Sequence, residues 1–275
     1  MGPRRRIRED GNAGQAGTLA CRRCSGVEMR FRSLHLLAVA AALTLGASAI
    51  AFAAKAPPKT PKSIVLGQTT NYPASGCPNP SKCEVVARVT GIQMMADGVA
   101  HPFRVPKTGT LVAWWLKLPK LQPTQMRSFN TFFGGDPAAR IVVLRRSQGG
   151  RFRLVDQGPT QPLKADLGTP GRARYKLAQP LRVQQGDYVG LTAVTWVPAF
   201  AVNLDGTQNY WLASRARNKC STPSSKDAKR FAAYYKRSQA HLVSSSVKLY
   251  QCSYQTARLL YWARIKPDAT PTQTP

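Results

Sequence analysis

Leu181–Trp196 reads LRVQQGDYVGLTAVTW, and the reading of the fold turns on it. Two runs of strand-forming residues flank Gln184, Gln185, Gly186 and Asp187. Glycine supplies the positive φ that a tight reversal needs, and aspartate hydrogen-bonds its own backbone there. Past the turn, Val189, Leu191 and Ala193 fall on one face at period two, with Tyr188, Thr192 and Trp196 on the other. The stretch predicts a half-buried antiparallel hairpin.

Similar segments recur on both sides. Arg140–Arg146 (RIVVLRR), a turn at 147–150 and Arg151–Asp156 (RFRLVD) predict the clearest hairpin. Glu84–Met95, Thr110–Leu118, Arg172–Leu177, Ala199–Leu204, Tyr210–Ser214, Val247–Tyr254 and Ala257–Ile265 read as further strands. Residues 119–139 hold Pro119, Pro123, Gly134, Gly135 and Pro137 and read as a long loop. One helix is predicted, Ser225–Arg237, with Ser224 or Ser225 as its cap. About ten short strands with Gly/Pro turns between them predict an all-β fold. The expected architecture is a single antiparallel β-sandwich, jelly-roll-like, over residues 64–266. Residues 54–63 read as a Pro/Lys linker and 267–275 as a frayed tail.

The N-terminal part reads differently. Arg30 and Arg32 precede an uncharged run at 34–54 that ends in Ala51-Phe52-Ala53. A basic start, an apolar middle and an A-x-A end predict a secretory signal over 29–53, hence a secreted or cell-envelope protein. The apolar run is also long enough to span a bilayer if left uncut, the one circumstance in which a membrane enters. Residues 1–28 carry no periodicity and precede Met29, which reads as the true start. Their Cys21 and Cys24 have no second pair at zinc-like spacing. Four cysteines follow the signal, and an even count outside the cytoplasm predicts disulfides. Cys77–Cys83 with Cys220–Cys252 is the most economical of three pairings.

The chain carries 40 Lys plus Arg against 12 Asp plus Glu, a formal net charge of +28. Residues 54–275 hold 32 of those cations and 9 of those acids, so the basicity belongs to the folded part. Such a surplus attracts polyanions and says nothing about fold.

The succession GTLVAWW (109–115), ARIVVLRR (139–146) and LRVQQGDYVGL (181–191) resembles a group of uncharacterised secreted β-sandwich proteins of high-GC bacteria. Those share a strand running from glycine to tryptophan, a strand ending in V-L-R, and a V-x-x-G-D-x-[IV]-G-L hairpin. The likeness covers about residues 105–215. It implies a β-sandwich and an extracytoplasmic setting, and carries no activity with it.

Catalytic signals are sparse. There is no G-x-S-x-G elbow, and His101 and His241 are the histidines outside the leader. No D-x-D or H-x-x-x-H occurs; Asn203 with Asp205-Gly206-Thr207 reads as a turn before a calcium loop. Asp136, Asp156, Asp166, Asp187 and Asp205 sit at expected loops or strand ends, where caps and turns explain them. No catalytic residue, metal site or cofactor is assigned.

Binding is the better-supported expectation. Arg151 and Arg153, like Arg172 and Arg174, alternate with apolar residues and predict a basic outer sheet face with Arg145. Adjacent aromatics such as Trp114-Trp115, Tyr210-Trp211 and Tyr261-Trp262 must point to opposite faces, so one ring of each pair faces solvent, a cover or a ligand. The expected function is an exported, non-enzymatic module associating with an extracellular or envelope polymer, an anionic polysaccharide. Arg145, Arg151, Arg153, Arg172 and Arg174 would bind it, with Trp115 or Trp211 as a stacking ring. Nucleic acid is not an expected partner for an exported chain. Two other readings stay open: a secreted polysaccharide hydrolase and a purely structural envelope protein.

Overall fold

The structure is a computed structural model, and it describes residues 61–75, 83–221, 230, 233–234 and 236–269. The predicted signal, its prefix and most of the linker lie outside the described residues, as does 270–275. In chain order the elements are β1 (Ile64–Leu66), β2 (Val86–Ala96), β3 (Val99–Ala100), β4 (Gly109–Leu116), α1 (Pro123–Phe133), β5 (Ala138–Ser147), β6 (Arg151–Gln157) and β7 (Gln161–Pro162). They continue as β8 (Ala173–Val183), β9 (Tyr188–Val197), β10 (Phe200–Ala201), β11 (Tyr210–Ala213), β12 (Val247–Leu249), β13 (Cys252–Gln255), β14 (Arg258–Leu259) and β15 (Tyr261–Pro267). One sheet runs β1-β15-β4-β8. A larger one runs β12-β6-β5-β9-β2-β11-β13, with β3 on β2 and β7 on β5; β10 and β14 form a separate pair. Every pairing is antiparallel.

The fold is an all-β sandwich. Leu111, Trp114 and Leu116 of β4, with Tyr175 and Leu181 of β8, meet Val89, Ile141, Val143, Val189 and Leu191 of the larger sheet in one buried cluster. The predicted RIVVLRR/RFRLVD hairpin is β5–β6, turning at Gly149 and Gly150, both at positive φ. The Gln184–Asp187 turn also forms: Gly186 sits at φ +91°, and the Asp187 carboxylate accepts from the Gln184 amide at 2.9 Å. What it joins differs from the expectation. β8 pairs with β4, and β9 pairs with β5 and β2, so the turn carries the chain from one sheet to the other and is no hairpin. Its backbone is tied to Val105 instead, which accepts from Gly186 and donates to the Asp187 carbonyl.

β9 is buried on both faces, where half-burial was expected. Its second face has two covers. Near Trp196 the cover is α1, whose Phe129 and Phe133 pack with the indole. This helix lies where the sequence reads as a loop. Pro123 occupies its first turn, where a missing N–H costs nothing. Gln122 and Gln125 form a capping box, and Gly134 closes the end at φ +78°. The second cover is the chain on either side of β12, with His241 before it and Tyr250 after it. Ile92, Val142, Leu144, Phe152, Leu154 and Tyr188 face away from the sandwich interior and pack with Tyr250. The Thr90 hydroxyl there accepts the His241 amide. Of the helix expected at Ser225–Arg237, the described residues Arg230, Ala233, Tyr234 and Lys236 are helical. At the other end, β15 runs to Pro267 and Asp268 ion-pairs with Arg182, past the boundary expected at residue 266.

Cys220 and Cys252 form a disulfide. Cys83 is also disulfide-bonded; Cys77, its expected partner, lies outside the described residues. Among the described residues no helix is long and apolar enough to cross a membrane.

Buried His241 makes stability depend on pH. Its Nε2 lies 3.0 Å from the Ser246 carbonyl and its Nδ1 3.1 Å from the Tyr250 hydroxyl. Burial first, and Lys248 after it, lowers its pKa below 6.5, against the Ser246 backbone bond; burial, Arg104 and Arg146 lower that of His101. As pH falls below about 6.5 the unfolded chain takes up protons that the native state refuses, so stability falls. The melting temperature is expected to be flat between about pH 7 and 8 and to decline from about 6.5 to 5. A melting temperature that climbs on acidification would contradict the assignment.

Candidate functional site

Register places the site on the outer face of the four-stranded sheet. Trp262 of β15, Trp115 of β4 and Arg174 of β8 stand side by side in one row. The next row holds Arg264, Ala113 and Lys176, with Val65 of β1 beside Arg264. Alternation sends the other member of each aromatic pair inward: Trp114 packs on Tyr175, and Tyr261 stacks on Phe103 while its hydroxyl donates to the Val189 carbonyl.

The cations on this face are held by rings. The Arg172 guanidinium lies 3.8 Å from the Trp262 ring centroid and 4.6 Å from that of Tyr72. Arg174 and Arg264 lie 5.5 and 5.1 Å from the Trp115 ring. Cation–π contact of this kind fixes a planar guanidinium while leaving its donor edge open. Lys117 anchors the segment that carries Tyr72 by donating to the carbonyls of Tyr72 and Pro73. Arg172, Arg174 and Arg264 have no carboxylate partner among the described residues. Trp115 is half-buried, Arg174 and Lys176 exposed, while Arg172 covers the fully buried Trp262.

The expected site residues therefore divide. Trp115, Arg172 and Arg174 come together. Arg145, Arg151 and Arg153 stand on β5 and β6, in the other sheet, because β6 and β8 do not pair. Arg145 is committed to structure: Nε and Nη2 reach the Asp187 carboxylate at 2.8 and 3.1 Å, and that carboxylate is 2% exposed. Arg151 and Arg153 are exposed, opposite Phe152 and Leu154, whose apolar face lies under Tyr250. Trp211 offers no stacking ring on the surface; it is buried, lying flat on Tyr254 at 4.7 Å. Sequence reasoning missed Trp262, Arg264 and Tyr72. Period two from the Tyr261-Trp262 pair already puts Arg264 beside Trp262, whereas Tyr72 gave no signal.

The acids have structural duties. Asp136 accepts from Asn130 and Lys164, Asp166 from the Tyr175 hydroxyl, and Asp205 from the Thr207 amide and hydroxyl. Asp156 accepts the Gln157 amide. Among the described residues one serine–histidine contact is present, Ser246 Oγ to His241 Nε2 at 3.0 Å. Nε2 also faces the Ser246 carbonyl, which only accepts, so that nitrogen carries the proton and is no base for the hydroxyl. Full burial of His241 further closes it to substrate. Among the described residues no three His, Cys, Asp or Glu gather as metal ligands. Compared with family models, curated proteins and solved structures, the chain matches none.

Proposed function

We propose that the chain is an exported, non-enzymatic β-sandwich module that holds an anionic polysaccharide, extracellular or of the cell envelope, on the outer face of its four-stranded sheet. The observation that carries this reading is the set of three arginines fixed against Trp115, Trp262 and Tyr72 with no carboxylate paired to them among the described residues. A sugar acid brings the two things such a face lacks: an apolar ring face for Trp115 and a carboxylate for a guanidinium fork. The oxidised Cys220–Cys252 pair and the leader sequence support export.

The test separates a site from mere net charge. The protein is expected to bind immobilised polygalacturonate at low salt and to elute by about 0.5 M salt. Arg174→Ala with Lys176→Ala is expected to lower the eluting salt markedly, and Trp115→Ala to lower it without changing charge. Arg151→Ala with Arg153→Ala removes the same charge from the other sheet and is expected to do less. Equal loss from both pairs would reduce the interaction to bulk electrostatics, and flow-through of the unaltered protein would reject it.

A further inference from the structure

Arg215 follows β11 and is 6% exposed. Its Nη1 donates to the Tyr254 hydroxyl at 2.9 Å, its guanidinium stands 5.1 Å from the Tyr234 ring, and its Nε is buried without an acceptor. No described carboxylate ion-pairs with it; Glu84, the one carboxylate among the residues lining the same cleft, is exposed. A buried cation left unpaired is expensive, and so is a buried donor without an acceptor. Trp211 repeats the second problem: its Nε1–H is buried and has no acceptor. Both residues line one cleft of about 290 Å³. The remaining wall is mixed: Val86, Val89, Phe200 and Ala257 give it an apolar side, and Asn203 and Gln255 a polar one. The Cys220–Cys252 disulfide braces the site, since the Tyr254 hydroxyl donates to the Cys220 carbonyl.

From this cleft we infer a second binding site, one for a small carboxylate with an apolar or aromatic body. Its carboxylate pairs with Arg215, and the body lies against the Trp211 ring and the apolar side of the wall. The volume suits a ligand of about ten heavy atoms, and none of the residues lining the cleft belongs to the outer sheet face, so the two sites are separate. Tyr254 stacks on the Trp211 ring and accepts from Arg215, so ring and guanidinium are in place before the ligand arrives, which limits the ordering that binding requires.

The probes are phenylacetate and its neutral counterpart 2-phenylethanol, added to the ¹⁵N-labelled full chain as expressed and processed. The chain has five tryptophans, hence five indole N–H signals, and Trp211→Phe assigns that of Trp211. Phenylacetate is expected to shift this signal saturably, and 2-phenylethanol to bind at least about tenfold more weakly, the difference one charge-assisted bond makes. Arg215→Met is expected to bring the acid down to the level of the alcohol. The comparison in the unaltered protein stands even if that variant does not fold. Equal affinity for acid and alcohol would overturn the inference, as would an unmoved Trp211 signal or a folded Arg215→Met that still prefers the acid.

Discussion

Asp97→Asn is expected to cost about 3 kcal/mol of stability and to lower the melting temperature by roughly 10 °C. Asp97 closes the turn after β2 at φ +48°. Its Oδ2 accepts from Arg258 Nη1 at 2.8 Å and from the Asn71 amide at 3.3 Å. The Arg258 side chain is 3% exposed and also donates to the Asn71 carbonyl and the Thr69 hydroxyl. The ion pair thus ties three distant parts of the chain: the segment after β1, the β2 turn and β14. Asparagine tolerates the left-handed backbone and retains an acceptor, so neither strain nor an empty site confuses the result. What disappears is the charge that compensates a buried guanidinium. Arg258→Met combined with Asp97→Asn is expected to be less destabilised than the two single changes added together, by more than about 1 kcal/mol. Additive losses in urea titrations would deny the coupling. Because Tyr72 follows Asn71 directly, Asp97→Asn is also expected to loosen the ring that covers Arg172 and to weaken retention on the polyanion.

Local chemistry was legible in the sequence, and partnership was not. Gly149-Gly150 between two alternating runs contains everything the β5–β6 hairpin needs. Gly186-Asp187 likewise contains a turn, but nothing near it says whether the outgoing strand pairs with the incoming one. That choice is made by distant residues, since Val105 claims the turn's backbone groups and β4 claims β8. Pro123 shows the same limit on a smaller scale. Read as a breaker it implied a loop, whereas it sits where a helix starts and a proline is welcome. At the site, period two was enough to place Trp115 and Arg174 outward together. Bringing Arg172 over Trp262 required the order β15-β4-β8, which no local pattern encodes. Arg145 looked like a free surface cation because its partner, Asp187, lies 42 residues along the chain. Trp211 was misplaced because alternation says that Tyr210 and Trp211 face opposite ways without saying which face is covered.

Cys220→Ser with Cys252→Ser is expected to remove about 3–4 kcal/mol, with a fall of roughly 10 °C in melting temperature. The bond joins positions 32 residues apart, so in the chain-entropy account it restricts the unfolded state across a long loop. The loop it closes has its own work in the native state. His241 and Tyr250 lie within it, and Tyr250 packs on Phe152 at 5.0 Å between ring centroids. Ser246 and Ser245 exchange backbone hydrogen bonds with Leu154, and the Gln239 carbonyl accepts from Ser214. Freed from the disulfide, this cover opens more often than the sheet beneath it. Amide exchange is therefore expected to speed up at Leu154 and His241 by more than at Ile141 or Val143, whose side chains face the sandwich interior. Uniform acceleration across the sheet would mean that the bond sustains the whole fold equally, and unchanged melting would mean that it does neither. The same variant probes the cleft: with the disulfide gone, the wall around Tyr254 loosens and the Trp211 indole signal should broaden. Protein made in a reducing compartment lacks this bond and that of Cys83 as well, and should melt no higher than the serine variant, which ties the expected export of the chain to the stability of its fold.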